Sequence, residues 1–244
     1  MKLTTTDGAT IRYEDSGGTG YPLLLLAPGG LNSTVEMWSR AAVDPVAAFA
    51  GEFRLITMDQ RNAGQSSGPL AVDDPWGSFI ADQLAVVDHL GIDKFLVMGC
   101  CIGCSYALKL IETAPHRVTA AVLEQPIGIV EENRDYWATS RGEWLNNLVE
   151  SRDDLDAATG ELFGARMWDG KDFVVSVTRE FVRNCQTPLA LLPGVDDVHP
   201  PATSREIVGL APNLVVIDPW KETPELVASA TEEVRKFLHA AAEG

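Results

Sequence analysis

"MGCCIGCSYAL", Met98 to Leu108, is the stretch on which the reading of this chain turns. A short apolar run, "KFLVMG", leads into it, and a segment of helical spacing leads out as far as Pro115. A strand that passes at once into a helix makes a sharp turn. The residues two before and two after its centre come close together, so both must be small. Gly99 and Gly103 meet that demand around Cys101. Centring the turn on Cys100 would place Met98 and Ile102 there instead, which excludes it. Without this context a cysteine would read as a small buried packing residue. With it, Cys101 is a thiol held out on a turn.

Such a position has chemical consequences. A helix N-terminus favours negative charge, so the turn is expected to lower the Cys101 pKa. Cys100 and Cys104 read as packing residues. Cys104 does complete a C-x-x-C pair with Cys101, but no second ligand pair stands at a metal-like spacing and Cys185 is alone. No metal and no cofactor are expected.

The 244 residues are 45% hydrophobic and carry a net charge of −16, enough chain for one α/β domain with a sizeable core. The acidity argues against a nucleic-acid partner and against binding anionic lipid. "MKLTTTDGAT" lacks a signal-peptide core, and the run Leu23–Ala27 is too short to span a bilayer. A cytoplasmic protein with reduced cysteines is expected.

Short apolar strands alternate with helices along the chain. Residues 2–14 read as a hairpin around Asp7-Gly8, "YPLLLLAPGG" as a buried strand entering a glycine-rich loop, and 35–49 as helical. "FRLITMD", "KFLVMG", "VTAAVLEQP", "TPLALLPG" and "NLVVID" supply further strands, with helices at 76–90, 102–113, near 199–210 and at the C-terminus. This order predicts a mostly parallel sheet of eight strands flanked by helices. Residues 127–186 break the rhythm and hold Trp137, Trp144 and Trp168. They are expected to form a small helical cap over the carboxyl ends of the strands, inserted in a single domain, 1–244.

The order of parts resembles the α/β-hydrolase superfamily over nearly the whole chain. Gly99-Cys100-Cys101-Ile102-Gly103 is similar to its G-x-nucleophile-x-G elbow, with cysteine as the variant. Ala27-Pro28-Gly29-Gly30 stands where the family places its oxyanion loop, "DQRNAGQSSGP" (59–69) resembles its D-x-R-x-x-G-x-S loop, and "APHRV" (114–118) the end of its elbow helix. "PGVDDVHP" (193–200) resembles the loop that often carries the triad acid. The resemblance implies Cys101 as nucleophile and Gly30, or its neighbour Leu31, with Ile102 as oxyanion donors.

One departure is serious. The family places a histidine after the last strand, and "VVIDPWKETPE" (215–225) has none. Of the four histidines, His89, His116 and His239 fall on surface positions. His199, after the seventh strand, is on the correct edge and becomes the candidate base, with Asp196 to orient it; the alternative is a structural histidine packed beside Pro200. Lys221, near the vacant histidine position, is an alternative base, against the plainer reading of a solvated lysine.

A cysteine nucleophile suits activated acyl groups. The expected activity is hydrolysis of an ester, lactone or thioester bond through an acyl-enzyme, with a small apolar or aromatic acyl substrate as partner. A cofactor-free lyase or acyl-transferring cyclase on the same fold is one alternative. A ligand-binding member that has lost catalysis is another. A homo-oligomer is neither required nor excluded.

Overall fold

The structure is a computed structural model, and it describes residues 1–169 and 173–244. Part of the expected insertion, 170–172, lies outside the described residues.

The strands are β1 (Lys2–Thr4), β2 (Thr10–Asp15), β3 (Pro22–Leu26), β4 (Arg54–Met58), β5 (Phe95–Cys100), β6 (Val118–Glu124), β7 (Leu189–Leu192) and β8 (Leu214–Val216). The α-helices are α1 (Pro45–Ala48), α2 (Pro75–His89), α3 (Ile102–Thr113), α4 (Arg134–Glu150), α5 (Ala157–Trp168), α6 (Arg179–Asn184), α7 (Pro201–Leu210) and α8 (Pro224–Glu243). The strands form one sheet in the order β1-β2-β4-β3-β5-β6-β7-β8. β1 and β2 pair antiparallel with each other and β2 antiparallel with β4; every later pairing is parallel. The chain has the α/β-hydrolase fold.

Alternation along each strand divides the core in two. Leu24, Leu26, Phe95 and Val97 face one side, packed with Tyr106, Ala107 and Leu110 of α3. Leu23, Leu25, Leu96 and Met98 face the other, packed with Ala230, Val234 and Leu238 of α8. Both faces are buried, which is why these strands read as continuous apolar runs rather than alternating ones. Cys101 sits at the seam, against both clusters.

The expected helix at 35–49 is two pieces, a 3-10 turn over Val35–Arg40 and the short α1. The break comes at Asp44-Pro45. Asp44 accepts hydrogen bonds from the Val46 and Ala47 amides, and Pro45 takes the first turn, so α1 starts anew there. α8 opens in the same way, its Thr223 hydroxyl accepting from Leu226 N–H with Pro224 behind it. No described helix is long and apolar enough to cross a membrane.

Candidate active site

The turn after β5 has the strain that its sequence implies. Cys101 adopts φ 58°, ψ −119°, and its N–H donates to Glu124 O at 3.0 Å. A Cβ on Gly99 would lie 2.2 Å from Gly103 O, and one on Gly103 would lie 1.9 Å from Leu26 O. Neither position can hold a side chain without moving backbone. Cys100 and Cys104 are fully buried. The Cys104 thiol donates to Gly99 O and Glu124 O, each at 3.2 Å, and so ties the elbow to β6. All four cysteines are free thiols. Among the described residues no group of three or more His, Cys, Asp or Glu could hold a metal ion.

Two backbone amides meet the Cys101 sulfur, those of Ile102 and Gly29. The resemblance implies Gly30, or Leu31, as the second donor to an oxyanion. The amide that meets the resting sulfur is that of Gly29, and Gly30 opens a 3-10 turn, Gly30–Asn32. Gly29 has φ 121°, which suits glycine, and Gly30 has φ 61°, in the left-handed region that glycine enters without strain. Trp144 of α4 lies over this loop, so close that a Cβ on Gly30 would sit 2.6 Å from its indole. Trp144 packs edge-on to Trp137 at 5.8 Å and against Trp168 at 6.2 Å. Asp59, just after β4, accepts Val35 N–H and Gln65 N–H, both at 2.9 Å, and so ties the segment that follows this loop to the one that follows β4.

The expected lowering of the Cys101 pKa is not found. Burial outweighs the two amides, and the nearby Asp196 carboxylate adds to its effect; together they push the thiol up to about 11. At neutral pH the resting group is therefore the thiol, not the thiolate.

His199 and Asp196 sit together after β7. Asp196 Oδ1 lies 2.9 Å from His199 Nδ1 and also accepts the Val198 and His199 amides at 3.0 and 2.9 Å. The His199 side chain is 11% exposed, so it does not point into water. Its Nε2 is buried without a hydrogen-bond partner among the described residues, and none links it to Cys101. Burial, reinforced by Lys221, lowers its pKa from 6.5 against the pull of Asp196. His89, His116 and His239 are exposed, as the sequence implies.

Lys221 is not the solvated lysine of the plainer reading. Its ammonium donates to Gln125 Oε1 at 2.7 Å and lies 3.6 Å from Asp196 Oδ2. Glu124, last residue of β6, is another surprise. It is fully buried, one carboxylate oxygen accepting Val43 N–H at 3.2 Å and the other unpartnered. Burial, against the Val43 and Ala42 amides and Lys221, raises its pKa to about 8. Sequence reasoning passed over Glu124 and Gln125. The available signal was a polar pair closing the buried strand "VTAAVLEQP" on the edge that carries the elbow.

Residues 22–169 match the family model described as alpha/beta hydrolase fold. The chain belongs to this family. As an alpha/beta hydrolase, it is 28% identical over 232 residues to the protein named "Putative non-heme bromoperoxidase BpoC" of Mycobacterium tuberculosis, covering 83% of this chain and 86% of that one. It is 31% identical over 134 residues to a proline iminopeptidase of Neisseria meningitidis, covering 54% of this chain and 41% of that one. Among solved structures it is similar to a meta-cleavage product hydrolase from Pseudomonas fluorescens, with TM-score 0.73, 17% identity and coverage of 99% and 98%. An esterase from Thermogutta terrifontis superposes with TM-score 0.68 at 22% identity, covering 99% of this chain and 98% of that one. At these identities the structural likeness speaks for the fold.

Proposed function

We propose that this chain is a hydrolase of an activated acyl bond, an ester, lactone or thioester, with Cys101 as nucleophile. One observation carries the reading: the Cys101 sulfur is mounted at φ 58° against the Ile102 and Gly29 amides, on the strand edge that also carries the His199–Asp196 pair. The bromoperoxidase and iminopeptidase names of the relatives differ in chemistry, so neither supplies the substrate.

The substrate carbonyl enters with its oxygen toward the Ile102 and Gly29 amides, next to Gly30. His199 Nε2 accepts the thiol proton as the sulfur bonds to the carbonyl carbon, because a thiol near 11 does not ionise beforehand. Asp196 holds Nδ1 and stabilises the imidazolium. The tetrahedral oxyanion collapses, the C–O or C–S bond breaks, and the leaving group takes the proton from His199. Water, deprotonated by His199, then attacks the acyl-thioester and releases acid and free thiol. Trp137, Trp144 and Trp168 act as the cap wall against an apolar or aromatic acyl group. Lys221, paired with Asp196, serves as a cation rather than as the base. In water enriched in ¹⁸O, one labelled oxygen should appear in the product acid, and Cys101→Ala should end turnover while the fold persists. Turnover that survives Cys101→Ala sinks this reading.

The high thiol pKa and the unjoined Nε2 favour a second reading, ligand binding without turnover. In that case Cys101→Ala leaves ligand affinity intact and no substrate is consumed. Product that carries no solvent oxygen would instead point to a lyase or cyclase.

A further inference from the structure

Gln125 follows β6 with φ 44°, in the left-handed region that non-glycine residues rarely occupy. Strain of this kind persists only where surrounding contacts hold it. Here they are polar. Its Oε1 accepts the Lys221 ammonium at 2.7 Å, and its Nε2 lies 3.9 Å from Cys100 Sγ. Lys221 in turn lies 3.6 Å from Asp196 Oδ2, on the opposite side of that carboxylate from the oxygen that holds His199. The ammonium also sits 5.2 Å from the Trp220 ring centroid. A lysine after the last strand would ordinarily extend into water, yet this side chain is only 20% exposed. An amide, a carboxylate and an indole draw it inward.

We propose that Gln125 is a positioning residue: its turned backbone aims an amide oxygen that docks Lys221 as a fixed cation on Asp196, beside His199. This rests on the proposed base role of His199 for its catalytic consequence, though the docking itself does not. The consequence is electrostatic. The nearby ammonium adds to burial in opposing a positive charge on the imidazole, and so helps to keep His199 neutral and able to take a proton. His199 is faced by Asp196 from its own loop and by Lys221 from the loop after β8. Glu124 faces Lys221 from β6, with Asp44 beyond it at the start of α1, and the Cys101 thiol faces Asp196 from the elbow. Glu124 stays protonated at neutral pH and the thiol stays neutral. The charge that Gln125 controls is therefore that of Lys221.

The test is an NMR titration of the His199 imidazole in the full chain, its signal assigned by loss in His199→Asn. Wild type should titrate below 6.5. Gln125→Asn keeps an amide that tolerates the turned backbone but is one methylene too short to reach Lys221. It and Lys221→Ala should each raise the midpoint by about half a pH unit, from loss of a nearby like charge. The double variant should add nothing further, and Lys221→Arg should keep the wild-type midpoint. The acid limb of kcat/KM should move with the titration. If Gln125→Asn does not fold, Gln125→Gly, which suits the turned backbone and removes the amide, takes its place and should give the same shift. An unmoved midpoint in the single variants, or additive shifts in the double, overturns the proposal. Turnover that survives Cys101→Ala would instead overturn the hydrolase reading and leave the titration result standing.

Discussion

His199 Nδ1 lies 2.9 Å from Asp196 Oδ1, while the other ring nitrogen is buried with no hydrogen-bond partner among the described residues. The carboxylate fixes which nitrogen is protonated and leaves a lone pair on Nε2. The imidazole acts as a base only when neutral. Its pKa lies below 6.5, so kcat/KM should be flat near neutrality and fall as pH drops through a midpoint under 6.5. His199→Ala should lower kcat by roughly a hundred- to ten-thousand-fold. A pH–rate profile and a single-turnover assay check both. An acid limb unchanged in His199→Ala would remove His199 from the mechanism.

Cys101 alkylation gives an independent measure. The thiolate reacts and the thiol does not. With the thiol near 11, labelling by a neutral electrophile should be slow at pH 7 and rise about tenfold per pH unit until it levels near 11. Fragmentation of the peptide that holds residues 100–104 separates a label on Cys101 from one on Cys100 or Cys104. Fast labelling at pH 7 would show an activated thiolate instead.

Glu124 predicts a pH dependence of stability. Its folded pKa, about 8, is above the ordinary 4.5, so the folded protein binds the proton more tightly than the unfolded chain does. Stability from this group is full below 4.5 and is lost as pH rises toward 8. Glu124→Gln cannot ionise. It should match wild type near pH 4.5 and exceed it at pH 8, as read from urea midpoints. Parallel curves across that window would show that Glu124 is not held neutral.

The elbow glycines should tolerate no side chain. Gly103→Ala places a methyl 1.9 Å from Leu26 O, a backbone atom that cannot step aside. A loss of about 1–3 kcal/mol or more is expected, with activity falling further than stability because Cys101 moves with the turn. Gly142, with open space around its Cβ position, is the matched control. Equal effects at the two positions would mean that the elbow is not tightly built.

The sheet was legible because its strands are buried on both faces and so stand out as short apolar runs, "PLLLL", "RLITM" and "FLVMG" among them. The elbow was legible because part of its demand is local: Gly99 and Gly103 meet each other across only a few residues of chain, while the contact of Gly103 with Leu26 of β3 is set by the tertiary fold. By itself the sequence determined the fold, the centring on Cys101, and the lack of a histidine after β8. Proximity across the sheet edge was beyond it. Only the tertiary structure placed Lys221 on Gln125, 96 positions away, set the Gly29 amide on the thiol, and buried Glu124 beneath the elbow. It also reversed the expected ionisation of Cys101. A helix N-terminus can be inferred from spacing, but desolvation depends on everything that packs around the sulfur, and here desolvation is the larger effect.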